Sequence, residues 1–465
     1  MFGLDFGLTT LLVICILCVC AFEFINGFHD TANAVATVIY TKSMRPTFAV
    51  VFSGILNGIG VFLGGTAVAM GIINLLPVET LVDQNVAHSL GMVAAILITA
   101  IFWNLGTWYL AIPASSSHTL IGSILGCGIA YSLLPGAGDA AVNWRKATDV
   151  GLSLLVSPLF GFLFALMLMG LLRGFIPSDK TLFEVPDGDS APPTWIRATL
   201  ILTCGLVSFS HGSNDGQKGI GLMMLVLIGI LPAKFAINDR YSNAEIYEQV
   251  RSLQADLDEL RADSTSSHVM HALEGMDAPL QSLATYTQSL VGVDDKSRDR
   301  FQVRRQILLL LDAVKKAKAE QPKDLKPLAP FFKEIGTLKK YTDNAPSWVI
   351  ALIAMSLGIG TMIGWKRIVI TIGEKIGKTH LTYAQGASAE IVAASTIGVS
   401  TFFGLPVSTT HVLSSGIAGA MFASGGKDNL DTNSISKILL AWILTFPVCL
   451  TLSGTLFLIF RSLFE

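Results

Sequence analysis

The sequence predicts an all-α, polytopic transmembrane helical bundle built from two inverted five-helix repeats, about ten spans in all. Three observations predict it. Of 465 residues, 51% are hydrophobic and 14% charged, where an ordinary soluble domain carries about 25% charged residues. The apolar residues fall in blocks that reach the roughly 20 residues needed to cross a bilayer as a helix. Two short motifs each occur twice, in the same order. A soluble enzyme, a disulfide-stapled secreted domain and a disordered chain are thereby excluded.

The blocks place the helices. Helix 1 is expected over residues 7–26, helix 2 over 47–75, helix 3 over 89–112, helix 4 over 115–134 and helix 5 over 151–176. A polar segment containing prolines, 177–193, follows. Helix 6 runs with a break from 195 to 231, and helices 7 to 10 take 347–364, 383–405, 407–424 and 435–460. Four parts result: 1–194, the first repeat with its linker; 195–232, the start of the second; 233–346, a charged helical insert outside the membrane; and 347–465, the rest of the second repeat.

Net charge is −2, which says little, but its distribution is uneven. Lys234 to Asp343 holds 17 Lys and Arg and 17 Asp and Glu, about half of all charges. The stretch has no one-signed basic patch, so no nucleic-acid surface is expected. Ile246, Val250, Leu253, Leu257 and Leu260 recur at helical spacing, as do Ile307, Leu310, Leu311 and Val314. Both stripes predict amphipathic helices of a small aqueous bundle. Cys15, Cys18, Cys20, Cys127, Cys204 and Cys449 all lie in apolar segments and read as packing residues. The first apolar stretch has no basic leader and no small-residue cleavage site, so it reads as a membrane helix.

The repeat organises everything else. Phe24–Asn33 (FINGFHDTAN) and Phe209–Lys218 (FSHGSNDGQK) share F-x-x-G-x-[HN]-D at a shift of 185. Pro113–His118 (PASSSH) and Pro406–His411 (PVSTTH) share P-[AV]-S-[ST]-[ST]-H at a shift of 293. The difference of 108 residues is close to the length of the charged insert. An odd number of helices between equivalent points inverts one half relative to the other. With the N-terminus outside, the inner loops collect Lys42, Arg45, Arg173, Lys180, Arg197, Lys366, Arg367, Lys375, Lys378, Lys427 and Lys437. The outer loops keep Arg145, Lys146 and Arg461. That asymmetry predicts both termini outside the cytoplasm.

Asp30 and Asp215 occupy equivalent places in the two copies, beside Gly27 and Gly212. A carboxylate inside a membrane is costly and is retained for a function. The glycines are expected to let the backbone unwind and expose its polar groups. Ser115, Ser116 and Ser117, and Ser408, Thr409 and Thr410, each follow a proline and open an apolar helix. Free N–H groups, hydroxyls and the helix dipole there make an anion site suited to a tetrahedral oxyanion. A capping residue accounts for one hydroxyl per helix, not three in a row, twice. His118 and His411 read equally as ligands or as hydrogen-bonded structural residues. Glu390, deep in ASAEIVAAS, and Glu23 are candidate cation or proton sites. Lys218, three residues beyond Asp215, pairs with it or adds positive charge beside an anion.

The motifs G-F-H-D-T-A-N and H-G-S-N-D-G-Q-K, with P-A-S-S-S-H and G-L-P-V-S-T-T-H, resemble the duplicated signature of the PiT family of inorganic phosphate transporters, in its bacterial low-affinity branch. The resemblance covers about 1–232 and 347–465, not the insert. It implies an inverted-repeat fold, a homodimer in the inner (plasma) membrane, and cation-driven symport of phosphate bound between the repeats. Asp30, Asn33, Asn214, Asp215 and the two hydroxyl runs are then expected at the substrate. Glu390 falls at a family glutamate. No resident cofactor is expected, although the bacterial branch carries phosphate as a neutral complex with a divalent metal. The family's sodium-coupled animal members have a glutamate where this chain has Asn57 and an asparagine where it has Lys218. A fixed ammonium repels Na⁺, so protons are the expected coupling ion. Alternatives are a sodium-coupled symporter and a permease for sulfate or arsenate. From other classes come a membrane-embedded hydrolase using Asp30, Ser117 and His118, and a receptor that recognises through its insert.

Overall fold

The computed structural model describes residues 5–30, 32–73, 75–76, 86–134, 142–176, 180–186, 191–264, 266–292, 297–320 and 325–464. The polar segment anticipated at 177–193 lies partly outside these residues. The described chain is helical, with a single isolated bridge, Gly377 to Leu430, and divides into two compact units. One holds the apolar helices and both motif pairs. The other is the charged stretch Met224–Ala345.

In the apolar unit α1 spans Phe6–Asp30, α2 Ala32–Tyr40, α3 Pro46–Leu63 and α4 Ala67–Ile73. Then come α5, Val86–Tyr109; α6, Ser116–Ser132; α7, Trp144–Phe175; and α8, Thr194–Ile230. The stretch expected as one helix over 47–75 divides between α3 and α4, where Gly65 takes φ 75°, a conformation that glycine adopts without steric cost. Helix α7 starts earlier than 151 because Asn143 caps it, its side chain accepting from Lys146 N.

In the charged unit α9 is Asn243–Asp263, α10 Ser267–Leu290, α11 Ser297–Glu320 and α12 Ala329–Thr337. Back in the apolar unit α13 is Ser347–Met362, α14 Lys366–Glu374, α15 Tyr383–Phe402, α16 Thr409–Gly425 and α17 Thr432–Phe464. Among the described residues five helices are long and apolar enough to cross a membrane alone: Phe6–Tyr40, Pro46–Leu63, Leu90–Tyr109, Trp144–Phe175 and Thr432–Leu463. The other motif-bearing helices are shorter or carry buried charge, so length and composition alone do not reach ten. Leu152, Leu155, Leu159 and Leu163 of α7 are exposed, an apolar stripe that water would not tolerate and lipid would.

The second F-x-x-G-x-[HN]-D motif sits inside the unbroken α8. The expected unwinding at Gly212 is therefore corrected. The glycine serves close approach instead: a β-carbon on Gly212 would lie 2.1 Å from Asn57 O of α3. Its counterpart Gly27 would meet Leu357 O of α13 at 2.4 Å. The reverse contacts repeat too, with Gly60 meeting Phe209 O at 2.3 Å and Gly360 meeting Phe24 O at 2.1 Å. Residues 58–60 and 358–360 both read G-I-G, so each contact has a counterpart in the other half. The halves thus exchange helices, α1 packing on α13 and α8 on α3. Farther along, a β-carbon on Gly126 of α6 would lie 2.1 Å from Leu450 O of α17, and one on Gly419 of α16 2.1 Å from Phe162 O of α7. The chain breaks instead before α6, at residues 112–115, and before α16, at 403–408. Prolines there cannot continue a helix from behind but start one well.

The charged unit has its own core. Ile246, Val250, Leu253 and Leu257 of α9 and Ile307, Leu310, Leu311 and Val314 of α11 are buried in it. Arg304 is buried among them and donates to Ala236 O at 3.2 Å and Thr342 O at 2.9 Å. Asn238 N donates to Tyr341 O at 2.8 Å. These bonds tie together the two ends of the unit. Burial pushes the Arg304 guanidinium down to about 10, against the opposing pull of Asp343.

Two substitutions test this packing. Gly212→Ala should destabilise the apolar unit by about 1–3 kcal/mol through overpacking, read as a lower melting temperature in detergent. Arg304→Met leaves two buried carbonyls without a donor and should cost the charged unit about 1–3 kcal/mol, read as faster proteolysis between residues 236 and 342 of the full chain.

Candidate functional site

The exchanged helices bring the two motif aspartates to one hydroxyl. Ser116 Oγ lies 3.2 Å from Asp30 Oδ2 and 3.3 Å from Asp215 Oδ2. Its single proton is shared between two carboxylates, one from each half. Both aspartates are buried. Thr410 Oγ1 donates to Asp30 Oδ1 at 2.6 Å. Asn33 Nδ2 donates to Thr410 Oγ1 at 3.2 Å and to Thr409 Oγ1 at 3.4 Å.

On the α8 side, Lys218 Nζ lies 2.6 Å from Asp215 Oδ2 and donates to Ser117 Oγ at 2.5 Å. Ser117 Oγ in turn donates to Val407 O at 2.6 Å. At the shift of 185, Lys218 is the counterpart of Asn33, and at 293 Ser117 is the counterpart of Thr410. The same pair of positions therefore meets across the halves twice, once through a neutral carboxamide and once through an ammonium.

Ser115 and Ser408 serve their own helices. Ser115 Oγ accepts from His118 N and Ser408 Oγ from His411 N, both at 3.2 Å. Their side chains are N-caps, as the capping alternative held for one hydroxyl per run. His118 Nδ1 also bonds Ser115 Oγ at 2.8 Å. The His118 and His411 rings lie 4.5 Å apart, with Trp442 stacked on His411 at 3.8 Å. Asn214 holds the segment before α16, donating to Thr401 Oγ1 at 2.9 Å and Leu405 O at 3.2 Å. Its Oδ1 accepts from Val407 N at 3.4 Å.

The two glutamates part company. Glu23 packs against α8: a β-carbon on Gly219 would lie 2.5 Å from Glu23 Oε1. Glu390 accepts from Thr203 Oγ1, twelve residues and so roughly 18 Å along α8 from Asp215. Both are buried, but only Glu23 borders the aspartate cluster.

Sequence reasoning missed His211. Its Nε2 lies 3.6 Å from both Asp30 Oδ2 and Asp215 Oδ2. Its Nδ1 lies 2.9 Å from Asn57 Oδ1, and Asn57 Nδ2 donates to Thr361 Oγ1 at 2.9 Å. Thr361 Oγ1 gives its own proton to Leu357 O at 2.9 Å. The chain of donors fixes a proton on Nδ1 and turns Nε2 to the carboxylates. The available signal was the i, i+4 spacing of His211 and Asp215 on one helix face. Among the described residues Asp30, His211 and Asp215 are the one grouping of three or more His, Cys, Asp or Glu side chains whose ligand atoms all lie within 4.8 Å of one another. With Nδ1 held by a carboxamide, this is the donor set a divalent cation takes.

A multi-pass helical membrane protein with charge enclosed where duplicated halves meet is the class defined so far. A model of the phosphate transporter family matches residues 26–453, and the chain belongs to that family. It is 42% identical to the low-affinity inorganic phosphate transporter PitA of Escherichia coli, over 98% of this chain and 97% of that one. It is 28% identical to a probable low-affinity inorganic phosphate transporter of Bacillus subtilis, over 98% of each chain. The fold is similar to a solved structure of a sodium-dependent phosphate transporter, with TM-score 0.56 and 18% identity over 97% of this chain and 99% of that one.

Ser408→Ala should cost about 1 kcal/mol of stability as a lost cap. It should leave phosphate affinity far less changed than Thr410→Ala does, a contrast measured by melting and by substrate titration.

Proposed function

We propose that the chain carries inorganic phosphate across the plasma membrane by proton-coupled symport, with alternating access around a site between two inverted halves. The observation that carries this reading is the meeting of Asp30 and Asp215 at Ser116, beside the N-termini of α6 and α16. The curated relatives bear the names of phosphate transporters. Helix starts and hydroxyls supply donors to an oxyanion. The carboxylates supply acceptors, and phosphate at neutral pH keeps a P–OH that can donate to one of them. Sulfate has none. Arsenate matches phosphate in this respect and is the competitor such a site admits.

Glu390, Glu23, Asp30 and Asp215 are the groups through which protons would be coupled. A hydrolase needs a nucleophile–base pair, and Ser117 gives its proton to Val407 O while His118 bonds Ser115. A second reading, in which phosphate travels as a neutral complex with a divalent metal, is favoured by the Asp30, His211 and Asp215 donor set. Homodimer assembly and both termini outside the cytoplasm complete the proposal. So does the assignment of 233–346 as an insert within the second repeat.

Reconstituted into vesicles, the protein should accumulate radiolabelled phosphate. A protonophore should abolish accumulation, and exchanging Na⁺ for K⁺ should leave it intact. Sodium-stimulated uptake indifferent to the pH gradient would refute proton coupling. Arsenate should compete with phosphate and sulfate should not. Ser116→Ala combined with Thr410→Ala should weaken apparent affinity well over tenfold, since each lost bond to a charged group is worth about 1.5–3 kcal/mol. Unchanged affinity in that double variant would remove the hydroxyls from the site.

A further inference from the structure

Lys218 is among the largest side chains that are fully buried. A buried ammonium persists only when paired and hydrogen-bonded. Its partners are oxygens: Asp215 Oδ2 at 2.6 Å and Ser117 Oγ at 2.5 Å. Ser117 spends its own proton on Val407 O, so it can only accept from the ammonium. The next residue along α8, Gly219, is where the Glu23 carboxylate packs. Asp215 belongs to the second half, Ser117 and Glu23 to the first. An oxygen from each half therefore contacts one charge, the kind of neighbour a small monovalent cation takes.

The internal repeat shows what the ammonium replaces. At the equivalent place Asn33 reaches Thr410, which bonds Asp30. There the motif has a carboxylate, a hydroxyl and a carboxamide, and the side chain brings no charge. On the α8 side the same three positions carry a carboxylate, a hydroxyl and a cation. We infer that Lys218 is a tethered cation. Its ammonium permanently fills an oxygen-lined monovalent-cation site at Asp215 and Ser117, so no free ion is needed there to neutralise Asp215 or to hold the halves together. Asp215 Oδ1 makes no hydrogen bond and stays available to substrate. The inference rests on the phosphate-uptake reading and specifies which cation site the chain supplies for itself.

The test is chemical rescue in vesicles. Lys218→Ala removes the stem and charge together and should lower phosphate uptake about tenfold or more, the scale of one lost charge-assisted bond. Ammonium or methylammonium should restore it saturably, and tetramethylammonium, too large for the vacated site, should not. Lys218→Asn rebuilds the Asn33 chemistry and should acquire a stimulation by Na⁺ or another small monovalent cation that the unaltered protein lacks. A merely structural lysine would produce neither the size-selective rescue nor the acquired dependence. The inference is overturned if Lys218→Ala transports at the unaltered rate without added cation. It is also overturned if both variants elute as folded protein and neither responds to any small cation. Uptake by the unaltered protein in the same vesicles reports separately on the phosphate reading.

Discussion

Two carboxylates buried against one hydroxyl are the constraint to which the rest of this membrane unit answers. Asp30 and Asp215 repel each other, and both are buried away from bulk solvent that would spread the charge. Their neighbours offset this from different directions. Ser116 gives a shared proton, Thr410 a second, and Lys218 a full charge at Asp215. His211 stands at the same distance from both. The starts of α6 and α16 add the positive ends of two helices. Without these groups the two halves could not close on one another at this point.

Bringing the aspartates together requires helices to approach more closely than side chains allow. Glycines at 27, 60, 212 and 360 permit it, each with a backbone oxygen where its β-carbon would be. In lipid, such small-residue contacts replace the hydrophobic drive that packs helices in water. Because each half lends its first helix to the other, each aspartate has a hydroxyl partner from the other half, Thr410 for Asp30 and Ser116 for Asp215. A rearrangement between the exchanged pairs must therefore act directly on the carboxylate cluster.

The architecture was legible in the sequence where a residue type was out of place. Aspartates, a lysine and hydroxyl runs inside apolar blocks announce themselves, and duplication pairs them. The helix order follows from apolar length, apart from the division at Gly65 and the short helices α2 and α14, which the apolar blocks do not mark. Residues with two common uses were not legible. Gly212 allows either unwinding or close packing, and only the Asn57 carbonyl behind it decides. His211 looks like any polar residue on a long helix until Asn57 and Thr361 orient it. Asn214 sits in the motif like a ligand, yet its amide holds the segment before α16. Glu390 and Glu23 look alike as buried carboxylates, but only the fold shows that one borders the cluster and the other does not.

The hydroxyl runs show why three consecutive residues are needed rather than one. Successive side chains at a helix start point roughly 100° apart, so three hydroxyls cannot converge on one group. They divide the work. The first, Ser115 or Ser408, caps its own helix and fixes where the helix begins. The second and third then point across to the other half. Ser116 reaches both aspartates and Ser117 reaches Val407 and Lys218, while Thr409 and Thr410 reach Asn33 and Asp30. The cap is the same in both copies, but the later hydroxyls differ in their partners: Ser116 reaches both aspartates where Thr409 meets Asn33, and Ser117 meets Lys218 where Thr410 meets Asn33 and Asp30. Duplication produced two equivalent sets of donors. The lysine makes the two aspartates unequal: Asp215 has a buried ammonium against it, while Asp30 has hydroxyls and the His29 and His211 rings.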